Sequence, residues 1–333
     1  LNTQENTIND YVLDDRYTVF KIPKHRGGYR IIEAPNRQLQ QKQRKLLKNV
    51  LYKYLSISPF AHGFVVNKSI VTNALPHVGK KYIIKFDIKD FFSSIDDKLF
   101  RKVFKSFAYS QYRNHYYNRL YNKNMYKLYT SNNSNKKMKK LYDQIIETCF
   151  VKEIDQNGIP KYRLPQGAPT SPHISNFIMR QFDWGIVNII KNLEKYYDNK
   201  LNINYTRYAD DITISMNEMC FIGYFKNKIT KMLENLYDGK ILLNEKKSIC
   251  VSRKYRQLVC GLVVNDKVAL PKEVRKKIKA LHYLVDNNKI DITNEIRGLF
   301  ALEKMVEKQS KYTPLTYDNV ISEIKLISML NEK

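Results

Sequence analysis

The chain has 333 residues, 43% of them hydrophobic, which is enough to bury a sizeable core in one large domain or two smaller ones. Lysine and arginine number 58 against 32 acidic residues, a formal net charge of +26, far beyond what solubility needs, so a nucleic acid is the first partner to expect and an anionic membrane surface the weaker one. With no run of 18 apolar residues and a polar opening, LNTQENTIND, neither a membrane span nor a signal peptide is expected.

The first residue is not Met, so trimming or renumbering of the start is expected. Residues 17–35 (YTVFKIPKHRGGYRIIEAP) predict two short strands around the turn His25-Arg26-Gly27-Gly28. Residues 36–57 predict a helix with Leu39, Leu46, Leu47, Val50, Leu51 and Leu55 on one stripe and basic residues opposite. In KKYIIKFDIKDFFSSI (80–95) a β-branched and aromatic strand runs into Asp87 and then a turn or helix start. From Ser110 to Lys140 Tyr, Asn and Lys dominate, predicting helix with a mobile loop at SNNSNKK, and the segment from Tyr109 to Lys140 is expected to bind RNA or an RNA–DNA hybrid.

LPQGAPTSPHISNF (164–177) sets three prolines and a glycine before a helix, with Ser171-Pro172 as N-cap and first-turn proline. That helix is expected to bury Ile174, Phe177, Ile178, Phe182, Ile186, Ile189 and Ile190. Residues 203–215 predict a hairpin with Asp210 and Asp211 at its tip, followed by a helix near 219–237 and strands near 241–251 and 257–270. From Pro271 the chain is helical in pattern and basic at its start, and the composition break near Leu270 is the candidate domain boundary. Cys149, Cys220, Cys250 and Cys260 form no C-x-x-C pair. They are expected to be ordinary buried thiols, as in a reducing cytoplasm.

An aspartate doublet alone is more simply a solvated turn. Asp87 alters the balance, because it ends the apolar strand Tyr82, Ile83, Ile84, Phe86, where an unpaired acid is costly. If that strand lies beside the hairpin, three carboxylates converge in a strongly basic chain. Two Mg²⁺ ions about 3.5–4 Å apart would neutralise them, activate an attacking hydroxyl and steady a departing pyrophosphate.

The series D-x-x-x-F-F after a strand, then L-P-Q-G-x-x-x-S-P, then Y-A-D-D on a hairpin resembles the reverse transcriptases over roughly residues 17–330. The resemblance implies an α+β right hand. It has N-terminal fingers, a palm built on an antiparallel sheet with helices on one face, and a helical C-terminal thumb. Fingers and palm would span 1–270, with the palm mainly in 80–95 and 164–270, and 271–333 would form an RNA-binding thumb.

Position by position, the resemblance implies that Asp87, the backbone carbonyl of Ile88, Asp210 and Asp211 hold two Mg²⁺ ions. Tyr208 would lie near the primer end, and Phe92 would reject a ribose 2′-hydroxyl while Phe91 packs. Gln166 would contact the incoming nucleotide, and Lys24 and Arg30 would clamp its triphosphate, Arg30 the better suited by guanidinium geometry. Lys247, with Lys246 as runner-up, would protonate the leaving pyrophosphate. Leu262 and Val263 would form the primer grip.

The element N-A-x-x-H (Asn73 to His77) matches retron enzymes and implies RNA contacts at Asn73 and His77. Val259-Cys260-Gly261 departs from the family's V-T-G, where a hydroxyl hydrogen bond would be lost. The length leaves no room expected for RNase H, integrase, endonuclease or maturase segments. Cognate RNA would be recognised by Lys272, Arg275, Lys276 and Lys279 on the basic helix that opens the thumb.

The resemblance implies a bacterial cytoplasmic enzyme copying its own structured non-coding RNA into a small single-stranded DNA from dNTPs. Synthesis would start at a guanosine 2′-hydroxyl, and an effector protein encoded alongside would act with the enzyme against phage. The alternatives are a group II intron-like or abortive-infection reverse transcriptase, or a non-catalytic RNA-binding scaffold of the same fold.

Overall fold

The structure is a computed structural model that describes residues 12–24, 27–113, 133–154, 157–287 and 289–308. Positions 25 and 26 of the glycine turn and most of the Tyr-rich stretch after residue 110 therefore lie outside the described residues. In chain order the strands are β1 (Val12–Leu13), β2 (Tyr17–Pro23), β3 (Tyr29–Pro35), β4 (Tyr82–Asp87), β5 (Val151–Ile154), β6 (Pro160–Arg163), β7 (Asn204–Tyr208), β8 (Asp211–Met216), β9 (Ile249–Ser252), β10 (Leu258–Val259) and β11 (Leu262–Val263). They fall into two compact units: Leu1–Ser58, Lys89–Gln181 and Leu233–Leu242 in the first, and Pro59–Ile88, Phe182–Met232 and Leu243–Lys333 in the second.

In the first unit β2 and β3 form an antiparallel hairpin paired from Tyr17 opposite Pro35 to Pro23 opposite Tyr29. β1, β5 and β6 form a small antiparallel sheet. The expected helix starts at Arg37, where Asn36 Oδ1 accepts from the Leu39 N–H at 2.9 Å, and runs through a π-helical turn (Leu47–Leu51) to Tyr54. Its buried side chains include Leu39, Leu46 and Leu51. An aromatic cluster of Phe100, Phe104, Phe107, Tyr142, Phe150 and Phe177 joins the helices Asp97–Arg113, Ser134–Cys149 and Ser171–Ile178.

Three local expectations change. The loop expected at SNNSNKK is already helical from Ser134. The helix after the proline stretch has Thr170 rather than Ser171 at its N-cap, because the Ser171 hydroxyl donates back to the Pro165 carbonyl at 2.7 Å. It also ends at Ile178, and a separate helix, Arg180–Tyr196, follows.

The second unit is built on a four-stranded antiparallel sheet in the order β7-β8-β4-β9. Side chains alternate across a pleat, so the register sorts residues onto two faces. Ile84, Phe86, Ile212, Ile214, Tyr205 and Arg207 share one face, where Tyr205 and Arg207 bond Asp183 of the helix Arg180–Tyr196. Asp87, Asp211, Thr213, Ser215 and Thr206 share the other. Here the sequence reading left out a feature: near β7 this second face is covered by the short helix Ile70–Ala74 and the turn Leu75–His77.

The core of this unit continues across the expected boundary at Leu270. Ile278 and Val306, on the helices Lys272–Asp286 and Asn294–Glu307, are buried with Val71, Ala74, Ile83, Val259 and Leu262. No helix among the described residues is long and apolar enough to cross a membrane. Cys220 and Cys250 lie side by side, their Cα atoms 7.1 Å apart, while Cys149 and Cys260 stand apart from them as free thiols.

Candidate active site

β4 carries the chain into Asp87, and the turn from β7 to β8 delivers Asp210 and Asp211. Asp87 pairs directly across the sheet with Asp211, and the Ile88 N–H donates to the Asp210 carbonyl at 3.2 Å. Directly opposed like charges destabilise a sheet, so something must compensate them. The compensation visible here is cationic. Lys247 Nζ lies 2.9 Å from both Asp87 oxygens, and Asn244 adds its side-chain amide at 3.2 Å and its backbone N–H to the Asp87 carbonyl at 2.7 Å.

The compensation is incomplete. Burial, then the Asp211 charge, push the Asp210 carboxyl up to about 6, and burial raises Asp211 as well. Among the described residues no group of three or more His, Cys, Asp or Glu side chains forms a preassembled metal site. The donor chemistry nevertheless fits a hard divalent cation: the set is all oxygen, partly buried, and short of positive charge. Asp87, Asp210, Asp211 and the Ile88 carbonyl are the residues that would hold it.

Tyr208 precedes the turn half-buried, its ring 6.1 Å from that of Phe64, and burial raises its hydroxyl pKa. Leu262 and Val263 form β11, paired with β10 around the positive-φ turn Cys260-Gly261. Burial, then the Asp211 charge, push the Cys260 thiol up to about 12.

Asn73 and His77 require a correction: both are fully buried and offer RNA no surface. His77 joins two strands, Nδ1 to Ser215 Oγ at 2.7 Å and Nε2 to Thr206 Oγ1 at 2.8 Å. Asn73 Nδ2 reaches Cys260 Sγ at 3.3 Å, so the thiol accepts a hydrogen bond at the position where the family has Thr. The N-A-x-x-H element thus braces the sheet and the β10–β11 turn from inside.

The other expected residues belong to the first unit. After Asp90 (φ 46°) the chain coils so that Phe91 is buried and Phe92 half-buried, their rings 5.5 Å apart. Lys24 and Arg30 are exposed on the β2–β3 hairpin. Gln166 is tied to that hairpin: its backbone exchanges bonds with Glu33, N–H to Glu33 Oε2 at 3.1 Å and carbonyl from the Glu33 N–H at 2.8 Å. In the second unit, Lys272, Arg275, Lys276 and Lys279 are exposed on the helix Lys272–Asp286.

Sequence reasoning missed several residues. Glu33 is buried at the hairpin base and held by Arg163, whose Nη1 lies 2.8 Å from Glu33 Oε2. Gly167 (φ 140°) sits so close that a Cβ would meet the Glu33 carbonyl at 2.8 Å. Asn244 gave no signal beyond its place in LLNEKK. Arg207 did carry one: a full charge inside an otherwise buried strand needs a buried partner.

An antiparallel sheet that sets paired carboxylates at the end of one strand and on the adjoining hairpin is the frame of a template-copying polymerase palm. Residues 22–294 match the family model described as "Reverse transcriptase (RNA-dependent DNA polymerase)", and the chain belongs to that family. The curated relatives it resembles include retron enzymes of Escherichia coli. It is 31% identical over 324 residues to the Retron Ec73 reverse transcriptase, covering 94% of this chain and 89% of that one. Identity is 31% to the Retron Ec83 reverse transcriptase (87% and 83% covered) and 29% to the Retron Ec86 reverse transcriptase (92% and 82% covered). The protein is an RNA-directed DNA polymerase of the retron type, and an RNA template is among its partners.

Proposed function

We propose that this reverse transcriptase copies its own structured non-coding RNA into a small single-stranded DNA. Synthesis starts at a guanosine 2′-hydroxyl and leaves a branched RNA–DNA product. The observation that carries the catalytic part is the pairing of Asp87 with Asp211 across β4 and β8, with Asp210 tied to Ile88 beside them. The likeness to retron enzymes over nearly the whole chain supports the choice of template and product. The same likeness supports a role in phage defence with an effector protein encoded alongside, in the bacterial cytoplasm.

Asp87, Asp210, Asp211 and the Ile88 carbonyl would hold two Mg²⁺ ions, whose chemistry when bound would be to activate the attacking hydroxyl and neutralise charge on the departing pyrophosphate. The protein's own groups do the rest. Lys247, its Nζ already 2.9 Å from both Asp87 oxygens, is the proton donor to the leaving pyrophosphate. Lys24 and Arg30 bind the dNTP triphosphate, Gln166 positions the nucleotide, and the Phe92 ring excludes a 2′-hydroxyl. Tyr208 supports the primer end, and the β10–β11 turn at Leu262 and Val263 grips it.

The test is to purify the protein, sequence the nucleic acid it carries, and supply dNTPs with Mg²⁺. The expected result is a single co-purified RNA, extended into DNA joined to it through a 2′–5′ bond. An enzyme that extends any annealed primer on any RNA but never primes from a 2′-hydroxyl would overturn the retron-specific part.

A further inference from the structure

Behind the aspartate turn lies a buried ion pair that none of these roles uses. Arg207 and Asp183 both have fully buried side chains, with Arg207 Nε 2.7 Å from Asp183 Oδ1 and Nη2 2.8 Å from Oδ2. The Tyr205 hydroxyl donates to Asp183 Oδ1 at 2.5 Å. The guanidinium's remaining arm, Nη1, donates to the carbonyl of Ala209 at 2.9 Å.

Ala209 is the residue immediately before Asp210, and it sits at φ 56°. A left-handed alanine is disfavoured by its own Cβ and persists only where its surroundings impose it. A second element presses on the same residue. Residues 60–62 run alongside β7, with the Arg207 N–H donating to the Phe60 carbonyl at 2.9 Å and the His62 N–H to the Arg207 carbonyl at 2.7 Å. Gly63 then meets the turn so closely that a Cβ would lie 2.6 Å from the Ala209 nitrogen and 3.0 Å from the Tyr208 carbonyl carbon. Both neighbours are backbone and cannot swing aside.

We propose that Arg207, Asp183 and Gly63 are positioning residues for the reaction: together they force Ala209 into its left-handed turn and thereby fix where Asp210 and Asp211 stand. The inference rests on the reading of those aspartates as the catalytic carboxylates. A purely structural salt bridge would have no reason to direct its third donor at the carbonyl next to the catalytic residue. Nor would it need a glycine pressed against the backbone of the same turn.

The experiment separates positioning from stability. A buried ion pair can be replaced by apolar residues of similar volume without loss of stability. The triple variant Tyr205→Phe, Asp183→Leu, Arg207→Met therefore removes the bond to Ala209 together with the whole buried polar cluster behind it. A second variant, Gly63→Ala, leaves the polar network intact and displaces the turn sterically. For each, thermal midpoint, RNA binding, kcat, and the Mg²⁺ concentration giving half-maximal synthesis are measured.

The expected result is folded, RNA-binding protein whose kcat is reduced about 10- to 100-fold and whose Mg²⁺ requirement is raised about tenfold. A folded Gly63→Ala or triple variant with wild-type kcat and Mg²⁺ requirement overturns the proposal. Should the triple variant not fold, Gly63→Ala decides alone. Asp210→Asn is run beside them. If it is inactive while the variants are unaffected, only the positioning role fails; if it is active, the assignment of the aspartates fails first.

Discussion

At the scale of single residues the chemistry turns on charge kept short of full compensation. Asp87→Asn and Asp210→Asn each remove a carboxylate from the proposed metal set while preserving shape, so DNA synthesis should fall by orders of magnitude with RNA binding retained. Mg²⁺-dependent polymerisation near the wild-type rate by either variant would refute the assignment. The two phenylalanines after Asp87 separate by burial, Phe91 being 4% exposed and Phe92 half-buried. Phe91→Ala should therefore act on the fold, costing about 3–5 kcal/mol. Phe92→Val should act on the substrate, raising incorporation of ribonucleotides relative to deoxynucleotides in a competition assay. Relaxed sugar choice in Phe91→Ala alone would reverse the two roles.

At the scale of elements, the helix Lys272–Asp286 buries Ile278 and turns Lys272, Arg275, Lys276 and Lys279 to solvent. Ile278 anchors it in the core it shares with Val259 and Leu262, which leaves the basic side as the surface we propose for RNA. Replacing those four cations by glutamine should weaken binding of the cognate RNA. It should also flatten the plot of log affinity against log salt by about 0.7–0.9 for each phosphate that is no longer neutralised. Exchanging residues 271–333 with those of a related enzyme should carry RNA choice with them. If primed synthesis follows the remainder of the chain instead, recognition lies elsewhere. The β2–β3 hairpin makes the opposite use of its elements: Glu33, held by Arg163, ties it to the Gln166 turn. The Arg163→Met variant leaves Glu33 buried without its counter-charge and should raise the KM for dNTP more than it changes RNA affinity.

At the scale of the whole molecule the burial of histidines sets a pH limit. Burial holds the imidazole of His77 down to about 3 and that of His173 to about 4, against about 6.5 in an unfolded chain. The folded form thus binds fewer protons than the unfolded one below pH 6.5. The stability these groups contribute is complete above that value and declines as the pH falls toward 3 to 4, by up to about 1.4 kcal/mol per pH unit for each histidine. Urea unfolding should show a lower midpoint at about pH 5 than at about pH 7.5. Identical midpoints would mean that these rings accept protons in place.

The sequence by itself determined a good deal. Composition alone pointed to a nucleic-acid partner, and the β-branched and aromatic run in KKYIIKFD and the hairpin pattern of residues 203–215 marked out β4, β7 and β8, because strand preference is carried by neighbouring residues. The order of short motifs pointed to the family, since each motif's chemistry is carried by neighbours in the chain. Tertiary structure decided what depends on partners far apart in sequence. It set Asp87 opposite Asp211 and chose Lys247 to pair with Asp87. It also buried Asn73 and His77, for which the N-A-x-x-H resemblance implied RNA contacts, because Cys260, Ser215 and Thr206 bond them internally. Arg207 shows the division most plainly. Its charge and its place beside Tyr208 are visible in the sequence, but its bond to Asp183 and its hold on Ala209 exist only once the helix Arg180–Tyr196 has packed against β7, because a buried charge is tolerated only where the fold supplies its counter-charge.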